Sequence, residues 1–153
     1  MVVKPATGRG AIWSCSPDLS RLIIFMGLKS KIYLIDDDAA VRDALIIFLE
    51  IYDYSVDAFA SSEEFLRDAN ETNQGVLVLD IRLPGMSGIE LQTELRKRKI
   101  NIPVIFITGH GDEEVRASVT QEGINFIDKP IDHDALLNCI EVALIPVGRS
   151  RIC

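Results

Sequence analysis

Val76-Leu77-Val78-Leu79-Asp80 is the most strand-like stretch of the chain, four apolar residues stopped by a carboxylate. A run without polar alternation suits a strand covered on both faces, as in a parallel sheet packed between helices. Upstream, Ile32-Tyr33-Leu34-Ile35 has the same character and ends in Asp36-Asp37-Asp38. Downstream, Pro103-Val104-Ile105-Phe106-Ile107-Thr108 ends in Gly109-His110-Gly111, and Asn125-Phe126-Ile127-Asp128 leads into Lys129-Pro130. A weaker strand is predicted over Val56 to Phe59.

Helical patterns fill the intervals. After Asp38, a candidate N-cap, Val41, Ala44, Leu45, Phe48, Leu49 and Tyr52 recur at helical spacing and predict one buried stripe. Ser61 with Glu64 reads as a capping box ahead of Phe65, Leu66 and Ala69. Leu83-Pro84-Gly85-Met86-Ser87-Gly88 reads as a loop, followed by a helix from about Ile89 to Lys99. The basic end of that helix, Arg96 to Lys99, reads as a solvated last turn complementing the helix dipole. Asp112 is the predicted cap of a fourth helix that runs to about Glu122 and stops at Gly123. A last helix from about Asp132 to Leu144 carries Leu136, Ile140, Ala143 and Leu144 on one face. Strands alternating with helices in this way predict an α/β fold, an open parallel sheet with right-handed crossovers and helices on both faces.

Composition agrees with one compact domain. The chain has 153 residues, of which 48% are hydrophobic and 25% charged, and a net charge of −7 disfavours a direct nucleic-acid footprint. Cys15, Cys139 and Cys153 show neither disulfide-framework nor zinc-ligand spacing, which suits a reducing, cytoplasmic setting. Leu22 to Met26 is too short to span a membrane. Residues 1–30 read as an irregular N-terminal extension, 31–145 as the folded domain and 146–153 as a C-terminal tail. Met26 offers a shorter start, so residues 1–25 are expected to be dispensable for folding and metal binding.

In such a sheet, sites form beyond the carboxyl ends of the strands. There the sequence puts Asp36 and Asp37 after the first strand, Asp80 at the end of the third, Thr108 at the end of the fourth and Lys129 after the fifth. Gathered carboxylates repel one another, and one lysine cannot neutralise them. A hard divalent cation resolves the conflict, and Mg²⁺ suits an all-oxygen site that keeps several waters. A carboxylate nucleophile, a metal and two donors for phosphoryl oxygens are the parts needed to form an acyl phosphate. Taken one at a time, aspartates at strand-to-helix junctions equally read as helix caps, and Asp38 is read mainly as one.

With those residues in place, the chain resembles the receiver domain of two-component response regulators. Four motifs carry the resemblance: Ile35-Asp36-Asp37-Asp38, Leu79-Asp80-Ile81-Arg82-Leu83-Pro84-Gly85-Met86-Ser87-Gly88, Ile107-Thr108-Gly109-His110-Gly111-Asp112 and Phe126-Ile127-Asp128-Lys129-Pro130. The second and third are most similar to the nitrogen-fixation (FixJ-like) and styrene-response (StyR-like) subgroup. The resemblance implies a flavodoxin-like three-layer sandwich of five strand–helix units, strand order 2-1-3-4-5, and a histidine kinase as phosphodonor. It implies Asp80 as phosphoacceptor, Mg²⁺ held by Asp37 and Asp80, by Asp36 largely through water, and by the Arg82 backbone carbonyl. Thr108 and Lys129 would contact the phosphoryl group, Phe126 would be the switch aromatic, and Lys129-Pro130 would be cis. Phe126 also reads as a plain core aromatic.

Arg82 and His110 would tune dephosphorylation, although His110 equally reads as a solvated loop residue. Partner affinity would change on the face made by helix four, strand five and helix five, with Leu137 and Cys139 as exposed apolar contacts. Ile46, Ile47 and Ile51 lie off the main stripe of the first helix and could meet the kinase. The resemblance leaves room for a homodimer on phosphorylation. Members of the subgroup continue into a DNA-binding domain, whereas only Ile145 to Cys153 follow Leu144 here, so a stand-alone receiver or one that has lost its output domain is expected.

Three other readings compete with this one. A phosphatase with an aspartyl nucleophile would carry a second aspartate two residues on, where this chain has Arg82. A cofactor-binding module of the same topology would need a phosphate cradle after strand one, where this chain has three aspartates. A receiver that is never phosphorylated would serve as a scaffold.

Overall fold

The computed structural model describes residues 30–119 and 124–145. The expected N-terminal extension, the dispensability of residues 1–25, the fourth helix's end at Glu122 and Gly123, and the tail after Ile145 lie outside those residues.

The elements alternate as read. They are β1 (Lys31–Ile35), α1 (Ala39–Ile51), β2 (Ser55–Phe59), α2 (Ser62–Asp68), β3 (Val76–Asp80), α3 (Gly88–Lys97), β4 (Val104–Thr108), α4 (Glu113–Val119), β5 (Asn125–Asp128) and α5 (His133–Ala143). The strands form one parallel sheet in the order β2-β1-β3-β4-β5. The central strand explains why: all of β3 is buried, so neither of its faces can be left to water.

Side chains alternate across the sheet and build two cores. Tyr33, Ile35, Leu77, Leu79 and Phe106 face one way and pack with Phe65 and Leu66 of α2 and Leu91 and Leu95 of α3. Ile32, Leu34, Val76, Val78, Ile105 and Ile107 face the other way and pack with Leu45 and Leu49 of α1 and Leu136, Ile140 and Ala143 of α5. The result is the three-layer sandwich, helices on both faces of the sheet.

Helix starts follow local chemistry. Asp38 caps α1 through Ala40 N (2.9 Å) and Val41 N (3.4 Å), and Asp132 caps α5 through Asp134 N (2.9 Å) and Ala135 N (3.1 Å). Ser61 caps α2 by accepting from Glu64 N, but the Glu64 carboxylate accepts from Ala60 N, one residue short of a full capping box. The complete box lies at Ser87 and Glu90 on α3, across the expected boundary between loop and helix. The basic end of α3 is solvated as expected, with Arg98 paired to Glu94 at 2.9 Å.

Several burial expectations need correction. On α1, Leu45 and Leu49 are buried, but Ala44 and Tyr52 are exposed. Tyr52 caps the helix end, beyond the turn that meets the sheet, and Ile46 packs partly against the core. Ile47 and Ile51 are exposed, at 62% and 72%. Leu137 and Cys139 are half-buried against the second core, so they are not the free apolar contacts expected of α5.

Candidate functional site

Strand ends and tight turns assemble the site. At the end of β1 the chain turns through Asp36, buried at 2% exposure, whose Oδ1 accepts from Asp38 N at 2.9 Å. The Arg42 guanidinium closes this turn by donating to the Asp36 carbonyl at 2.6 Å. Asp80 ends β3 at 4% exposure, with Oδ1 accepting from Arg82 N at 3.0 Å. The chain then doubles back so closely that a Cβ on Gly88 would lie 2.6 Å from the Asp80 carbonyl oxygen, which only glycine permits. Glu63 of α2 steadies that loop by accepting from Met86 N at 2.6 Å.

Lys129 arrives from the far edge of the sheet. Its backbone N–H donates to the Thr108 carbonyl at 2.7 Å, the Lys129-Pro130 bond is cis as expected, and Nζ reaches Asp80 Oδ2 at 2.9 Å. Asp36, Asp37 and Asp80 each offer one carboxylate oxygen, all within 4.8 Å of one another. Burial pushes the Asp36 carboxyl above its ordinary range; the Asp38 N–H opposes this and the Asp80 charge adds to it. Burial alone would lower the Lys129 ammonium, yet its bond to Asp80 and the charges of Asp80, Asp36 and Asp37 outweigh that and raise it.

Three carboxylates against one ammonium leave the pocket short of positive charge. An oxygen-only donor set of this size and charge fits a hard divalent cation such as Mg²⁺.

Thr108 ends β4 on the same rim, but its hydroxyl is committed to a different carboxylate. Its hydroxyl donates to Asp128 Oδ1 at 2.6 Å, and Arg116 Nη1 of α4 donates to that same oxygen at 2.8 Å. The Thr108 hydroxyl, first, and the Arg116 charge hold the Asp128 carboxyl below its ordinary range. Arg116 also lies over the Phe126 ring, 5.2 Å from its centroid, while Phe126 stacks on Phe106 at 5.7 Å. Phe126 is half-buried and packs against the first core, so it is both a core aromatic and a neighbour of this cluster.

Arg82 and His110 are exposed loop residues, two positions after Asp80 and Thr108 respectively. Arg82 is fastened: Nε pairs with Asp112 Oδ1 at 2.5 Å and Nη2 donates to the Gly111 carbonyl at 3.0 Å. Asp112 stands at the start of α4, but its carboxylate turns back to Gly109 N (2.7 Å) and Arg82 instead of capping the helix. Asp112 is 3% exposed, and a buried carboxylate satisfied by an arginine and a backbone N–H is better served than one capping a short surface helix.

Sequence reasoning missed Asp128, Arg116 and the real office of Asp112. Asp128 had a signal: β4 and β5 are register partners at Thr108 and Asp128, so adjacent strand ends put a hydroxyl beside a carboxylate. Arg116 and Asp112 depend on loop paths that no local pattern specifies.

A profile described as the response regulator receiver domain matches residues 32–141. The response regulator protein TodT of Pseudomonas putida is 40% identical over 123 residues, covering 80% of this chain and 54% of TodT. The transcriptional regulatory protein FixJ of Rhizobium meliloti is 40% identical over 113 residues, covering 73% of this chain and 55% of FixJ. The chain thus spans about half the length of the curated relatives it matches. Among solved structures, the response regulator StyR superposes with a TM-score of 0.69 at 41% identity, covering 76% of this chain and 59% of that one. The crystal structure of FixJ-N superposes with a TM-score of 0.70 at 38% identity, covering 76% of this chain and 94% of that one. Sheet order, motif positions and a profile match running from β1 into α5 agree, and the chain belongs to the response regulator receiver domains of two-component systems.

Proposed function

We propose that this chain is a Mg²⁺-dependent phosphoryl switch that takes its phosphoryl group on Asp80 from a histidine kinase. The observation that carries this reading is the meeting of Asp36, Asp37 and Asp80 within 4.8 Å, with the Lys129 ammonium on Asp80. Asp37, Asp80 and the Arg82 carbonyl would hold the cation directly, and Asp36 through water. When bound, the cation offsets charge on the phosphoryl oxygens and on the carboxylates around them.

The chain's own groups do the rest. An Asp80 oxygen forms the new bond to phosphorus as the phosphorus–nitrogen bond of the donor's phosphohistidine breaks, and the electron pair leaves with the imidazole nitrogen. Lys129 then trades its hydrogen bond to Asp80 for one to a phosphoryl oxygen, holding charge that has moved outward. Thr108 donates to another oxygen once it lets go of Asp128, and Phe126 follows it inward. The consequence is a changed partner affinity on the face of α4, β5 and α5, which is also where two phosphorylated copies would pair.

The chain acts in this reading as an acceptor and signal, with slow self-dephosphorylation tuned by Arg82 and His110, and not as a turnover enzyme. The receiver unit spans residues 31–145. No helix among the described residues is long and apolar enough to cross a membrane. The reading carries a cytoplasmic setting, because kinases are charged by ATP there.

Acetyl phosphate with Mg²⁺ should raise the intact mass by one phosphoryl group. Chelation or Asp80→Asn should prevent it, and uptake undiminished in Asp80→Asn would overturn the reading.

A further inference from the structure

The Asp128 carboxylate is where three parts of the switch meet. Its Oδ1 takes two donors at once, Thr108 Oγ1 at 2.6 Å and Arg116 Nη1 at 2.8 Å, so a hydroxyl from β4 and a guanidinium from α4 are tied to one atom of β5. The same guanidinium lies over the Phe126 ring, two residues before Asp128. A single oxygen thus fixes the rotamer of Thr108 and, through Arg116, what covers Phe126.

A hydroxyl has one proton to donate. While Asp128 receives it, no phosphoryl oxygen can. We propose that Asp128 is a positioning residue for the phosphoryl response: with Arg116 it forms an acidic clasp that holds Thr108 outward and competes with the phosphoryl group for its proton. The clasp rests on the reading of Asp80 as phosphoacceptor, and adds to it a residue that sets how far the unphosphorylated chain is held from the active arrangement.

The size of the bias follows from exposure. The Arg116 and Asp128 side chains are 44% and 68% exposed, so water competes for both and screens their attraction. The clasp therefore resists switching without blocking it. Loss of the clasp lifts the fraction of competent protein and, with it, the apparent affinity for a phosphoryl mimic, by about threefold to tenfold.

Binding of beryllofluoride, a phosphoryl mimic, to the full chain with Mg²⁺ tests this by titration. Asp128→Ala should tighten apparent binding by about threefold to tenfold, and Arg116→Ala should do so by a smaller factor. In a Thr108→Val background the gain from Asp128→Ala should vanish, because no hydroxyl remains to release; a general loosening of the fold would persist there. Without mimic, the methyl signal of labelled Thr108 should shift its rotamer populations in Asp128→Ala. Unchanged or weaker binding by folded Asp128→Ala, with wild type binding normally, would overturn the clasp. Failure of wild type to bind the mimic while Asp128→Ala still moves the Thr108 signal would instead strike the phosphoacceptor reading.

Discussion

The acidic end of the sheet and the β4–β5 edge beside it hold their polar groups in different ways. In the pocket, Asp36 and Asp80 are 2% and 4% exposed, and each is anchored by a backbone N–H in its own turn. At the edge, Asp128 stands in water and its carboxylate is held by the side chains of Thr108 and Arg116, and none of the described residues of α4 beside it is buried. A buried, backbone-anchored group costs much to move, whereas an exposed side-chain clasp on a lightly packed helix rearranges cheaply. Under the proposed function the difference would separate the two tasks of a switch, with the chemistry on rigid parts and the response on parts that yield. It also explains why the pocket tolerates an unfavourable charge balance, since the sheet cores, not the site, carry the stability.

That contrast can be attacked at several points. The largest effect is expected at Lys129, where Lys129→Ala should slow phosphoryl uptake from acetyl phosphate by about a thousandfold, or ~4 kcal/mol, leaving the fold intact. Intact-mass time courses measure it, and a loss below tenfold would show that the ammonium does not serve the reaction. Next comes the unequal packing of the two helices. Leu136→Ala in α5 removes a fully buried side chain and should cost about 3 kcal/mol in urea unfolding, whereas Val115→Ala in α4 should cost under about 1 kcal/mol. Equal costs would erase the distinction between the rigid and the yielding half.

A third probe separates the pocket from the surface that presents it to a donor. Ile47→Glu on α1 changes an exposed side chain and should alter stability by no more than about 0.5 kcal/mol. It should leave uptake from acetyl phosphate unchanged and slow transfer from the kinase about tenfold, as expected for a contact residue. Unchanged transfer from the kinase would remove α1 from the docking surface.

The smallest expected effect is the pH response of the edge. Because the Thr108 hydroxyl and Arg116 depress the Asp128 carboxyl, its contribution is fully present above the ordinary carboxylate value and fades as pH falls through the lowered one. Acid unfolding of Asp128→Asn, compared with wild type, should lack that small loss. Identical profiles would leave the clasp without an energetic signature.

Much of this was legible in the chain itself, and particular residues show why. The unbroken apolar runs before Asp36, Asp80 and Thr108 report their own burial, and strand ends in a parallel sheet share one rim, so Asp36, Asp37, Asp80 and Lys129 could be gathered on paper. Ser87 and Glu90 were readable as a capping box and were hidden by the Pro84 and Gly85 beside them. Asp112 had no such signal. An aspartate ahead of a helix reads as its cap, and only the folded path of the β3–α3 loop puts Arg82 within its reach. Thr108 shows the limit most clearly, since sequence identifies the hydroxyl as a donor but not which of two carboxylates it faces.

The proposed function stands or falls with one bond, between phosphorus and an oxygen of Asp80. Borohydride reduces an acyl phosphate to an alcohol and so converts the modified aspartate to homoserine, which peptide mass spectrometry can locate. After incubation with phosphoramidate and Mg²⁺, the mark should fall at position 80. A mark at Asp36 or Asp37, or none at all in protein that has gained phosphoryl mass, would contradict the account.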